Sequence, residues 1–263
     1  MLGRLDGIPV LNYHGIAAHD VDDNLPDRKF WVAAPTLRQQ IDRIRHAGYR
    51  TGLLAEHWGA TEPAPSTRSV VLTFDDGRAS DYEIAFPLLL EMGARAEFFV
   101  NTAAVETPGH LTWRQIEEMH RAGMRFQSHA HDHVVLLTLS PTALEWQLST
   151  SKRLLENRLG RAVEFVAAPY GLLGHRVVDM ASRLGYRAVC NSRQWPARPG
   201  RRIVNRVAIQ ADTTPVHFAG LIAGDPAAYL PGFTAMALKE IPKRVLLRFR
   251  PGALGVTLAS QRA

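Results

Sequence analysis

The chain has one cysteine, Cys190, in 263 residues. An internal disulfide is therefore excluded, and so is a metal centre built on several thiolates. Long apolar runs are also missing. No stretch approaches the ~20 apolar residues that a helix needs to cross a bilayer. The opening segment, Met1 to Pro9, lacks the apolar run of a secretory leader. That reading points to a cytoplasmic protein. No basic-aromatic motif of the nucleic-acid-binding kind occurs, so nucleic acid is not an expected partner. Positive charge is the one excess: 31 Lys and Arg stand against 25 Asp and Glu, a formal charge of +6. Such a balance suits an anionic partner, such as a lipid phosphate or an acidic glycan. It is equally the ordinary state of an Arg-rich chain.

With 46% apolar residues the chain can bury a sizeable core. No linker or shift in composition divides it. Short apolar, β-branched or aromatic runs read as buried parallel strands: Val10–Tyr13, Val70–Phe74, Ala96–Val100, Arg125–Ser128, Val163–Ala167 and Arg187–Cys190. Between them lie helical patterns, each closed by a glycine: Gly48, Gly93, Gly123, Gly160 or Gly185. The repeated helix–Gly–strand order predicts a parallel α/β architecture. A barrel of this class fits the length.

Three polar clusters follow strands, where α/β barrels place their chemistry. The first is Thr73-Phe74-Asp75-Asp76-Gly77. Read alone it is a turn, since Asp and Gly favour turns. Two carboxylates at a barrel mouth also suit a metal ligand beside a free base. The second is His129-Ala130-His131-Asp132-His133. On a helical turn, His129 and His133 would share one face and chelate a divalent ion. On a strand, His129 and His131 would share a face instead. Asp76, His129 and His133 together make an N2O donor set with open positions, the pattern of a catalytic metal. The third is Pro169-Tyr170-Gly171. It is either a plain strand-ending turn or a site where the Tyr170 N–H serves as an oxyanion donor.

Together these clusters resemble the polysaccharide deacetylase family, the NodB-homology domain. Thr73 to Gly77 matches its first motif intact. His129 to His133 is similar to its His-Ser/Thr-x-x-His motif, with Ala130 in the hydroxyl position. Pro169-Tyr170 matches the end of its third. Pro9 to His14 and Leu111-Thr112-Trp113 extend the likeness, which covers roughly residues 8 to 225. The resemblance implies a distorted, incomplete (β/α) barrel. It implies Asp75 as general base, Asp76, His129 and His133 as metal ligands, and one divalent ion, zinc or else cobalt or nickel. It implies a hydrolase removing N-acetyl groups from a polysaccharide, an oligosaccharide or a lipid-linked glycan.

The chain departs from the family pattern in three places. Ala167 stands where many relatives carry an arginine that orients the base, and Arg206 is the proposed substitute. No terminal Leu-x-His motif is found, which leaves the general acid open. His14, at the end of the first strand, is the candidate for proton donation or sugar contact. Ala130 lacks a hydroxyl that could anchor its loop, a role that Asp132 or His131 could take. Trp113, with Pro169 and Tyr170, is a candidate substrate contact, and Trp31 and Trp195 could also stack on sugars. The catalytic domain is expected over 1–238 and a basic extension over 239–263. In the extension, Ile241, Val245 and Phe249 recur at helical spacing among five basic residues. That helix would lie on an anionic membrane surface or dock on the barrel. Two other functions share these features: amide hydrolysis on a non-sugar substrate, and glycan binding without turnover.

Overall fold

The computed structural model describes residues 3–22, 25, 27–59 and 68–234. Strands β1 (Val10–Tyr13), β2 (Gly15–Ala17) and β3 (Trp31–Ala33) lead into α1 (Ala34–His46). Next come β4 (Arg50–Gly52), α2 (Ala55–Trp58), β5 (Ser69–Asp76), α3 (Phe86–Glu91) and β6 (Glu97–Val100). The chain continues through α4 (Trp113–Arg121), β7 (Arg125–Ser128), α5 (Pro141–Leu159), β8 (Phe165–Ala167), α6 (His175–Arg183) and β9 (Ala188–Cys190). It closes with β10 (Ile203–Val204), β11 (Val207–Ala208) and α7 (Pro215–Ala223). A further helical stretch covers 226–234.

Hydrogen-bonded neighbours in the main sheet run β10-β9-β8-β7-β6-β5-β1-β11, and β4 pairs with the first half of β5. Every named pair is parallel. The two ends of the sheet are served by one short segment. Its first part, β10, pairs with β9, and its second, β11, pairs with β1. The ring is thus joined by chain and not by a ladder. This is the expected α/β fold, an incomplete (β/α) barrel.

Burial follows the two-residue period of strands. One set of side chains fills the barrel interior, among them Val71, Phe99, Phe165, Cys190 and Val204. The alternate set faces the helices. There Tyr13, Phe74, Phe98 and Phe126 are register partners across β1, β5, β6 and β7. Their rings stack in a row at centroid distances of 5.2, 4.9 and 5.5 Å. Each ring contributes about 1.5–3 kcal/mol by burial, and the row fixes register, because a one-residue slip would turn all four rings inward. Leu144, Leu148, Leu155 and Val177 cover the other half of the sheet from α5 and α6.

Helix ends follow the sequence signals. Ser140 caps α5 through a bond from Ala143 N, and Pro141 takes its first turn. Gly160 ends α5 in the left-handed region, at φ 61°. Thr112 and Gln115 close a capping box on α4. The six expected strands are all present. β5 is longer than expected and carries Asp75 and Asp76 as its last two residues. No described helix is long and apolar enough to cross a membrane. The basic segment 239–263 lies outside the described residues.

Candidate metal centre

The site begins where β5 ends. Thr73 and Asp75 share the interior face of the strand. Strict alternation would send Asp76 to the helix side. Its φ is 80°, however, and Gly77 follows at 67°. Asp is among the residues that best tolerate this region. At Gly77 a side chain is excluded twice: by the φ, and by Val100 Cγ1, which would lie 2.9 Å from an added Cβ. The chain therefore swings over the barrel mouth with both carboxylates on the same side.

Asp75 is 3% exposed and Arg206 0%. They form a two-pronged pair, with Arg206 Nη1 on Oδ1 and Nη2 on Oδ2, both at 2.7 Å. Asn12 Nδ2 donates a further bond to Oδ2 at 3.0 Å. Arg206 is itself held by Asn191 O, which accepts from Nε, and its guanidinium lies 5.1 Å from the Phe99 ring centre. Burial opposes the charged form of Asp75, but the Arg206 guanidinium and then His129 outweigh it. The carboxyl is held well below the usual carboxylate range. Arg206 occupies the interior role expected of it as partner to Asp75. Ala167, in the position where an arginine was looked for, contributes its carbonyl instead, accepting from His129 Nδ1 at 2.9 Å.

That bond places the Nδ1 proton of His129 and leaves Nε2 as the free donor atom. His129 Nε2 and His133 Nε2 each lie 3.6 Å from Asp76 Oδ1. All three atoms lie within 4.8 Å of one another. Bonds of about 2.0–2.1 Å at a tetrahedral angle separate donors by roughly 3.4 Å, so the trio fits a divalent ion with little movement. Burial, and next the neighbouring His129, push His133 down to about 4, so its imidazole is neutral at neutral pH. Arg78 Nη2 occupies the other oxygen of Asp76 at 2.9 Å.

Of the two conformations the sequence left open, a helical turn or a strand, the histidines take neither. Residues 129–133 form a loop, and Ala130 takes a φ of 65°. The reversal at Ala130 brings the imidazoles together at a centroid distance of 5.2 Å. The loop is pinned without a motif hydroxyl. Gln147 Oε1 accepts from His131 N and Asp132 N, and Gln147 Nε2 donates to Asp132 Oδ2 at 2.8 Å. His131 Nδ1 lies 2.8 Å from Thr102 Oγ1, and Ser128 Oγ accepts from Ala130 N. Both Asp132 and His131 thus hold the loop.

Tyr170 stands at the rim, 48% exposed, with its ring 4.7 Å from His133 and its φ at 61°. Pro169 is buried behind it. The His14 ring lies 4.8 Å from that of Phe30, tilted by 38°. His14 follows Tyr13, which pairs with Phe74, so the parallel register sets His14 level with Asp75. Burial lowers the His14 pKa, while the charges of Asp75 and Asp76 oppose the shift. Trp113 is not brought there. Its described contacts are with the Arg158 guanidinium at 5.2 Å and the apolar layer under α4 and α5. Its position at the first turn of α4 directs it to the helix layer, so the expected sugar contact has no geometric support. Sequence reasoning missed Asn12, Arg78 and Gln147. A lone Asn in an apolar strand was the one signal available.

Solved deacetylases share this fold. The Streptococcus pyogenes deacetylase PplD, in complex with acetate, superposes with a TM-score of 0.75 at 26% identity, over 85% of this chain and 100% of that one. A Bacillus cereus polysaccharide deacetylase gives 0.72 at 25%, over 82% and 69%. Residues 62–189 match the family model described as polysaccharide deacetylase. In sequence it is 28% identical to Bacillus subtilis YxkH over 181 residues. It is 31% identical to the Escherichia coli poly-β-1,6-N-acetyl-D-glucosamine N-deacetylase over 134 residues. The chain spans 62% of the length of the first and 20% of the second.

Proposed function

We propose that this domain is a divalent-metal-dependent N-deacetylase acting on N-acetylated glycans. One observation carries the reading: a metal-ready trio, Asp76, His129 and His133, adjoins a buried Asp75–Arg206 pair. Similarity to poly-β-1,6-N-acetyl-D-glucosamine N-deacetylases of Escherichia coli and Staphylococcus aureus supports the substrate class.

An ion held by the trio, zinc or else cobalt or nickel, would polarise the acetyl carbonyl and acidify a water. Asp75 is the proton acceptor. Oδ2 already accepts from Arg206 and Asn12, whereas Oδ1 accepts from one strong partner, Arg206 Nη1. Oδ1 therefore keeps a lone pair for the water proton. Arg206 makes Asp75 a weak base, which suits a water already acidified. It also fixes both oxygens in place, so no side-chain ordering is left for the reaction step. The Tyr170 backbone N–H is proposed as the donor to the developing oxyanion. A donor of that kind is worth about 10²–10³ in rate. His14, neutral and level with Asp75, is proposed to take the water proton on from Asp75 and hand it to the leaving amine, which returns both side chains to their starting state.

Metal analysis and acetate release test the reading together. Wild type is expected to hold about one divalent ion per chain and to release acetate from N-acetylglucosamine oligomers. The His129→Ala, His133→Ala double variant is expected to fold, hold none and release none. A metal-free wild type that stays metal-free after reloading would sink the proposal.

A further inference from the structure

A groove of about 630 Å³ opens on the outside of the barrel beside the site. It lies where β9 passes to β10 without a covering helix, between α6 and the segment from Asn191 to Asn205. Its upper end touches the machinery already described. Gly171 follows Tyr170, and Asn205 precedes Arg206. Asn191, whose carbonyl holds Arg206 Nε, also lines it.

The lining chemistry has one sign. Arg193, Arg198, Arg201 and Arg202 line the groove, and no Asp or Glu does. Arg202 is paired with Asp179 at 2.9 Å. The other three have no carboxylate partner among the described residues. The Arg193 guanidinium rests over the Phe233 ring at 5.4 Å. The amino end of α6 adds to the same field, since Gly174 at its N-cap supplies no side-chain hydrogen bond. Three guanidiniums without a carboxylate partner among the described residues thus line one groove, and each offers a fork suited to phosphate or carboxylate.

From this we infer that the groove binds an anionic portion of the glycan substrate, a phosphate or carboxylate carried next to the sugar that Tyr170 and His133 face. The inference rests on the deacetylase reading for its occupant. Charge complementarity and continuity with the rim at Gly171 select that occupant over an unrelated partner.

Binding to the full chain is measured calorimetrically for three probes. Chitohexaose is neutral, a hyaluronan hexasaccharide carries carboxylates, and UDP-N-acetylglucosamine carries a diphosphate. At least one anionic probe is expected to bind about tenfold or more tightly than chitohexaose at low salt, and the gap should close at high salt. Which anionic probe gains identifies the group. The Arg198→Gln, Arg201→Gln variant is expected to lose that gain and leave chitohexaose binding unchanged. An Arg43→Gln, Arg45→Gln variant removes the same charge from α1 and is expected to change nothing. Equal binding of all three probes overturns the inference. So does an equal loss in the α1 variant, or an RNA hexamer that binds as tightly and is lost with the same groove arginines. Because the readout is binding, failure of acetate release would sink the hydrolase reading while leaving this result interpretable.

Discussion

Asp75 and Arg206 show how much depends on one buried pair. Neither ion is stable in the interior alone, and the pair is worth little over an apolar substitute of the same shape. Its value is positional: it holds a charged carboxylate still at the barrel mouth. Removing one partner should therefore hurt far more than removing both. Arg206→Met strands the Asp75 charge and is expected to cost about 3–5 kcal/mol in denaturant unfolding. The Asp75→Asn, Arg206→Met double variant should recover a large part of that loss. An additive double variant would show that the two side chains act independently. Arg206→Lys keeps the charge but not the fork, so stability should fall less than acetate release does.

At the scale of elements, much was legible because parallel strands buried on both faces read as unbroken apolar runs. All six such runs are strands. What was not legible is instructive. β4, β10 and β11 are two or three residues long and include Arg50 and Gly52, so no run marks them. The positive φ of Ala130 runs against its own preference and is held by Ser128 Oγ on its own N–H, by Asn101 Nδ2 on the His129 carbonyl and by Gln147 Oε1 on the His131 N–H, and the last two side chains are remote in sequence. Asn12 and Arg206 meet Asp75 only because β1 and β11 have the register they have. The same blindness hid Glu97, the first residue of β6. It is fully buried, accepts from Leu54 N at 2.5 Å and from Gln127 Nε2 at 2.9 Å, and so ties the α2 turn to β6 and β7. Gln127 Oε1 in turn accepts from Glu164 N and Phe165 N, which brings in β8. Burial raises Glu97 to about 7, against the lowering effect of its hydrogen-bond donors. The sign follows from linkage. The folded state holds its proton up to about pH 7, whereas the unfolded chain releases it near 4.5. The stabilisation is complete below pH 4.5 and is lost as pH rises through 7, on the order of 3 kcal/mol in all. Glu97→Gln keeps the shape and cannot ionise. Its unfolding free energy should lose that downward slope between pH 4.5 and 7.5, and a slope equal to wild type would remove Glu97 as the cause.

For the whole molecule, the decisive feature is the seam. Eight strands follow one another by hydrogen bonds, yet β10 and β11 divide their pairing between β9 and β1. Asn205 and Arg206 span the division, so the residue that orients Asp75 sits where the ladder is interrupted. The centre of the sheet is different. β5 pairs with β1, β4 and β6, and its Phe74 lies in the stacked aromatic row. Stability should therefore be graded around the ring, with opening of the seam costing less than global unfolding. Two amides report on it directly. Asn191 N donates to Val204 O at 3.0 Å on one side, and Ile209 N donates to Asn12 O at 2.8 Å on the other. Native-state hydrogen exchange should find both at least tenfold faster than the Phe74 amide. Arg206→Met should accelerate the two seam amides more than Phe74, because it removes two side-chain ties across the gap, the Asp75 pair and the Asn191 carbonyl bond. Equal protection at all three positions would mean that the barrel opens as one unit, and that Arg206 serves the carboxylate without closing the fold.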